Sequence, residues 1–396
     1  MSLDLLIVPD EIASGIYEIR KIFDHIVSIR GEFSYDVVID RNVSEKILNK
    51  SKCVLFFRSR SVLHYQLALL CKKLNKPVFL FIDDDFLGLA DNYGINGAGI
   101  WKGRKDALKK MLPLMDAIIS PNDLLNEKYA GIGNVKRRVR IDTSVDLDTL
   151  VKKSVIDKGR IVLYINDGSI DMFNKYLRPA LKKIGELRPD TFQVDLLSLH
   201  PDCSDINGVT FNFIPHMTYP QFRTFMNESP FALGMAPLDN DGFNQYKYFN
   251  KYIEYTRSGI LGIYSDCPLY RQVVKNYVNG LLVDNSADAW VRAILFCYDH
   301  PMERAACLER AQSIISNQFN KDNICDGLIK NLPELFKEDK SKKVRGVDVA
   351  CIKFIYYLSR VEERIYLFCR YFRIGGLKTV ILALKHRRER NKEKIK

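Results

Sequence analysis

The chain has 396 residues, 47% hydrophobic and 27% charged, which is long enough for two globular domains with sizeable cores and too apolar for a disordered protein. Nine cysteines, an odd number with no Cys-x-x-Cys pair and no partnering histidine spacing, argue against a disulfide framework or a zinc site and point to reduced thiols in a cytosolic protein. The net charge of +12 is concentrated in residues 341–396, which hold sixteen Lys/Arg against five Asp/Glu, so a basic nucleic-acid-binding body is excluded.

From the N-terminus, short apolar runs predict strands at Leu3–Val8, Asp36–Ile39, Cys53–Phe57, Pro77–Ile82 and Asp116–Ile119. A second set follows at Ile161–Ile165, Phe192–Leu197, Val209–Ile214, Phe231–Met235, Ile260–Tyr264 and Leu281–Val283. Between them, Leu63–Lys73, Phe173–Leu187, Tyr219–Met226, Tyr246–Arg257 and Ala287–Cys297 have helical length and spacing. This alternation is that of repeated βα units around parallel sheets. It predicts two doubly wound α/β domains, 1–150 and 151–340, joined around the polar stretch 143–159, and a basic tail at 341–396. The first residues read as a strand and not as a secretory signal.

In such sheets ligands bind beyond the carboxyl ends of strands, so the loops directly after each strand are where chemistry is expected. Strand Pro77–Ile82 runs into Asp83-Asp84-Asp85, three adjacent carboxylates that repel one another unless something holds them. They are candidates to orient acceptor hydroxyls, to bind a divalent cation or to supply a general base; capping and solvation are the structural alternative. Asp84 and Asp85 are the catalytic candidates and Asp83 an acceptor contact. Arg58, just past Cys53–Phe57, is placed to meet an anionic acceptor group, and Trp101 sits in a glycine-rich stretch suited to an acceptor lid.

In the second half, the loop after Phe231–Met235 supplies Asp241, Asn244 and Lys247, and the helix after it carries Lys251 and Glu254. A helix N-terminus with lysines suits a diphosphate, and a carboxylate can accept hydrogen bonds from ribose hydroxyls; a surface helix with solvated charges is the plain alternative. Gly168 and Ser169, after Ile161–Ile165, can bring backbone N–H groups to a phosphate.

Residues 230–318 resemble the C-terminal domain of group 1 glycosyltransferases, the retaining GT-B family that builds bacterial surface polysaccharides such as O-antigen and capsule. The resemblance is carried by Met235-Ala-Pro-Leu, Phe243-Asn, Lys251-Tyr-Ile-Glu-Tyr, Gly259-Ile, Ile263-Tyr-Ser, Pro268-Leu-Tyr-Arg and Val278-Asn-Gly-Leu-Leu-Val. It implies a GT-B fold of two Rossmann-like domains facing a cleft. It also implies a UDP-, GDP- or dTDP-sugar as co-substrate with no catalytic metal, Glu254 on the donor ribose, Lys247 or Lys251 on the diphosphate, and an Asn279-Gly280 turn that closes the pocket. Tyr246 stands where the family has an acidic residue, which makes Asp241 the sugar contact, and the family's Arg and Lys after the first strand of this domain are missing. The resemblance further implies front-face attack by the acceptor, with lysines such as Lys247 stabilising the departing diphosphate.

In the tail, Ile355, Leu358, Val361, Ile365, Phe368 and Phe372 recur at spacings of three and four among Lys353, Arg360, Arg364 and Arg370. This pattern predicts a basic amphipathic helix lying on an anionic membrane surface at the cytoplasmic face, where an acceptor would be a lipid-linked glycan. Docking to another glycosyltransferase is the competing reading for the tail. For the whole chain the competitor is an inactive scaffold that recruits partner enzymes.

Overall fold

A computed structural model of the protein describes residues 2–10, 14–59, 61–88, 104–145, 149–164, 170–198, 200–240 and 242–393. The chain forms two compact units: unit 1 contains residues 1–16, 26–141 and 328–396, and unit 2 contains 17–25 and 142–327.

Unit 1 is built on β1 (Leu3–Pro9), α1 (Ser14–Arg30), β2 (Tyr35–Val37), α2 (Glu45–Lys50), β3 (Ser51–Phe57), α3 (Val62–Lys73), β4 (Val78–Phe81), β5 (Ala117–Ser120), α4 (Asp123–Gly133) and β6 (Arg138–Arg140). The middle of α1, Tyr17–His25, counts with unit 2. The six strands are parallel in the order β2-β1-β3-β4-β5-β6, which places the topological switch point between β1 and β3. Strands β4 and β5 are buried at every position, as sheets covered by helices on both faces require. The strand β6 went unforeseen because only Val139 in it is buried and arginines flank it. Helix starts follow from local chemistry: Ser61 accepts from the His64 N–H at 3.1 Å and Asn122 from the Leu125 N–H at 3.1 Å.

Unit 2 continues with β7 (Asp157–Tyr164), a π-helical turn at Phe173–Leu177, α5 (Arg178–Leu187), β8 (Phe192–Leu197), β9 (Val209–Ile214), α6 (Tyr219–Glu228), β10 (Phe231–Ala236), α7 (Asn250–Arg257), β11 (Leu261–Ser265), α8 (Pro268–Arg271), β12 (Leu281–Val283), α9 (Ala287–Asp299), α10 (Pro301–Gln318) and α11 (Lys321–Asn331). Its strands are parallel in the order β12-β11-β10-β7-β8-β9, with the switch point between β7 and β10. Alternation along the strands feeds two cores. Ile161 and Leu163 pack on one face with Trp290 and Ile294 of α9, and Val162 on the other with Tyr252 and Tyr255 of α7.

The segment expected as one helix, Tyr246–Arg257, is instead a 3-10 turn at Asn244–Tyr246 and then α7. Gly234 in β10 lets α7 settle onto the sheet: a Cβ there would come within 2.6 Å of the Tyr255 ring, whose hydroxyl donates to the Met235 carbonyl at 2.8 Å.

Within α11, at Leu328, the chain returns to unit 1, which ends in the long helix α12 (Gly346–Glu393). Residues 328–340, expected with the second domain, belong to unit 1: Arg137 Nη1 pairs with Glu334 at 2.8 Å, and Cys53 Sγ lies 3.6 Å from the Glu334 carbonyl. The expected architecture of two parallel α/β sheets is the one observed.

Candidate active site

In unit 2 the loop after β10 leaves the sheet at its switch point and is held from two sides. Asp239 accepts from Lys175 Nζ at 2.8 Å and from the Tyr176 hydroxyl, both in the π-helical turn that follows β7. Leu238 N–H donates to Ser265 Oγ at 2.7 Å, and Asn285 Nδ2 donates to the Leu238 carbonyl at 2.9 Å. The loop is therefore tied to the turn after β7 on one side and to β11 and the residues after β12 on the other. Asn244 is buried and spends its amide on the Asp239 carbonyl at 3.2 Å, which shapes the loop from within.

The loop delivers Lys247 to the start of α7, where no side chain caps the helix. Lys251 follows one turn on. Burial, and then the charge of Lys247, hold the Lys251 ammonium down to about 8. Both lysines thus stand at a helix start without a side-chain cap, a place suited to an anion.

Glu254 has a partner set that its sequence does not disclose. Arg223 Nη1 of α6 donates to Oε2 at 2.8 Å, and Arg257 Nη2 donates to both oxygens at 3.0 Å. The Tyr219 hydroxyl lies 3.2 Å from Glu254 Oε1 and 3.0 Å from Glu18 Oε1, with one proton to give to the pair. Burial alone would raise the Glu254 carboxyl, but Arg257 and Arg223 hold it below its ordinary range. With a side chain 15% exposed and about four acceptor positions occupied, Glu254 is not an open receptor for ribose hydroxyls as the sequence suggested. Of its partners, Arg257 is signalled by its i, i+3 spacing; Arg223, Tyr219 and Glu18 carry no local signal.

The Asn279-Gly280 turn is corrected in role. Asn279 is buried, donating to the Tyr252 hydroxyl at 2.9 Å and the Val273 carbonyl at 2.7 Å and accepting from the Lys275 N–H at 2.6 Å. One of these bonds ties the turn to α7 and the other two tie it to Val273 and Lys275, so the amide is spent within the fold. A Cβ on Gly280 would meet Val274 at 3.0 Å, which explains the glycine by packing. Gly168, Ser169, Asp241 and Trp101 lie outside the described residues.

In unit 1 the three consecutive carboxylates are drawn apart. Arg58, in the left-handed region at φ 50°, turns its guanidinium onto Asp83: Nε donates to Oδ1 at 2.6 Å and Nη2 to Oδ2. Burial alone would lower the Arg58 pKa, but Asp83 and Asp84 raise it. The two acceptor candidates thus neutralise each other, and Arg58 is not poised for an external anion.

Asp85, 2% exposed, accepts from Lys128 Nζ of α4 at 2.6 Å and from the Tyr129 hydroxyl at 3.4 Å. A carboxylate so enclosed cannot serve as the general base named from the sequence. Asp84, half-buried between them, is the remaining candidate. Beside this edge, Asp40, Ser61 and His64 form a buried set that the sequence reading missed: Ser61 Oγ lies 2.7 Å from His64 Nδ1, and His64 Nε2 3.7 Å from Asp40 Oδ2. Burial raises the Asp40 carboxyl, with His64 acting the other way. With His64 fully buried, the set serves to fix the start of α3.

Among the described residues, no three His, Cys, Asp or Glu side chains converge as metal ligands, and no helix is long and apolar enough to cross a membrane.

No protein-family model matches the chain, and no curated protein is similar to it in sequence. Solved structures are similar in fold. HepE of Anabaena, crystallised with UDP and glucose, aligns with a TM-score of 0.58 at 11% identity, over 83% of this chain and 99% of that one. Sucrose-phosphate synthase of Thermosynechococcus elongatus gives 0.59 at 13% identity, over 84% and 98%. The pneumococcal O-GlcNAc transferase GtfA, in complex with UDP and GlcNAc, gives 0.53 at 14% identity, over 74% and 59%. What the chain shares with these proteins is architecture: it has the GT-B fold of two Rossmann-like domains.

Proposed function

We propose that the protein is a glycosyltransferase moving a sugar from a nucleotide donor, a UDP-sugar for preference, to a lipid-linked or growing polysaccharide acceptor. The observation that carries this reading is the placement of Lys247 and Lys251 at the start of α7, which has no side-chain cap, after the strand β10 that borders the switch point of a Rossmann-like sheet. The UDP, glucose and GlcNAc bound by proteins of the same fold support the donor class.

In this reading Lys247 and Lys251 stabilise charge on the departing diphosphate, which suits a retaining transfer in which the leaving group takes the acceptor's proton. Glu254 meets the ribose by exchange: a ribose hydroxyl replaces Tyr219 at Oε1, and the Tyr219 proton turns to Glu18. Were the transfer inverting, Asp84 would be the base, since Asp85 is committed to Lys128. The basic end of segment 341–396 holds the enzyme to the cytoplasmic face of an anionic membrane, in keeping with nine cysteines outside any disulfide. The donor needs no resident cofactor.

The inactive-scaffold reading is favoured by one observation, the occupied carboxylate of Glu254. A screen of UDP-, GDP- and dTDP-sugars for nucleotide release, with wild type and Lys251→Met, decides between them. Release from one donor that the substitution abolishes supports the enzyme; no release and no nucleotide binding leaves the scaffold. Truncation after Arg373 tests the membrane role separately, because it should move the protein out of the membrane fraction.

A further inference from the structure

Helix α12 has two apolar faces, and only one is used within unit 1. Its first turns pack on α3, with Val349 and Ile352 buried and Lys353, Tyr356, Ser359 and Arg360 half-buried on the same side. The helix start is pinned: Lys342 N–H donates to the Leu74 carbonyl at 2.7 Å, Asn49 Nδ2 donates to the Val344 carbonyl at 3.0 Å, and Val344 N–H donates to Asn49 Oδ1 at 2.6 Å. On the opposite side run Val347, Cys351, Phe354, Leu358, Val361, Ile365, Phe368 and Phe372, all exposed, the seven other than Cys351 at 49–64%.

The spacing of these eight residues alternates four and three without a slip, which is the a/d seam of a heptad repeat. A strict repeat of 3.5 drifts by about 20° per heptad on a straight helix, or about 70° over this stretch, and a second helix supercoiled about the first follows that drift along the whole seam. The seam ends where the helix changes character, at Gly375 and Gly376, the latter at φ 65° within α12, a conformation that only glycine adopts without strain.

We propose that residues 347–372 form a coiled coil with the same segment of a second copy of this chain, leaving the basic end beyond Gly376 for the membrane. The area suffices. With roughly half of each side chain exposed and aromatics of ~150–250 Å² each among them, the seam can bury on the order of 700 Å² per chain, near the ~800 Å² per partner of specific interfaces. This pairing is independent of the chemistry proposed for unit 2.

Sedimentation equilibrium of the full chain at low micromolar concentration in detergent-free buffer tests it. Wild type should run at twice its 45.7 kDa, and Leu358→Lys/Ile365→Lys at one chain's mass with native circular dichroism, since both positions are exposed within the single chain. Leu358→Ile should remain dimeric. A monomeric wild type, or a lysine double variant that stays dimeric, overturns the proposal. A monomeric wild type that binds phosphatidylglycerol vesicles, with binding lost in the double variant, would instead assign the seam to the bilayer.

Discussion

The carboxyl edges of the two sheets handle charge in opposite ways. In unit 1 an acidic run is neutralised from within, with Arg58 on Asp83 and Lys128 on Asp85, so the cluster that looked most reactive in the sequence is largely architecture. In unit 2 the arginines enclose a carboxylate, while Lys247 and Lys251 stand at a helix start without a side-chain cap, and burial, then Lys247, hold Lys251 to about 8. A carboxylate enclosed by arginines marks a brace, and cations at an uncapped helix start mark a place suited to an anion.

That contrast can be broken at its strongest point first. Glu254→Ala leaves Arg257, 3% exposed, and Arg223 without their carboxylate and with only neutral acceptors, so it should cost about 3–5 kcal/mol of stability in a urea melt of the protein. A melt unchanged by it would refute the brace. In wild type the same interaction is present above the ordinary carboxyl value of 4.5 and is lost as pH falls through the depressed folded value.

Asp85→Ala makes the matching break in unit 1, where Lys128 keeps some access to water. A smaller loss, about 1–3 kcal/mol, is expected, with UDP affinity unchanged. Altered UDP affinity would mean that this carboxylate does more than brace.

The smallest effect sharpens the unit 2 side. Lys251 sheds its proton as pH rises through about 8, and a bound diphosphate favours the charged form. UDP binding should therefore weaken above pH 8, by up to ~10-fold per unit, with proton uptake on binding. Affinity that is flat between pH 7 and 9.5 would remove Lys251 from the site.

Most of the fold was legible because buried parallel strands are continuous apolar runs; β8, β9 and β12 occupy the expected ranges. What escaped were elements with little buried surface, such as β6, and the division of Tyr246–Arg257 into a turn and a helix. In the site, Lys247 and Lys251 lie four residues apart, so their mutual influence was readable. Arg223 reaches Glu254 across 31 positions, and nothing in Asp83-Asp84-Asp85 tells one carboxylate from the next until α4 brings Lys128 to Asp85. The heptad seam of α12 was visible as a stripe, but only the burial of the opposite face on α3 shows that the stripe is a second, unused surface.

The central claim is that the start of α7 holds a nucleoside diphosphate, and calorimetry of UDP with wild type and Lys251→Met tests it most directly. Wild type should bind, and the variant should bind about 10–100-fold more weakly, the loss of one charge-assisted hydrogen bond, without melting at a lower temperature. Equal affinities, or a wild type that binds no nucleotide, would contradict the account.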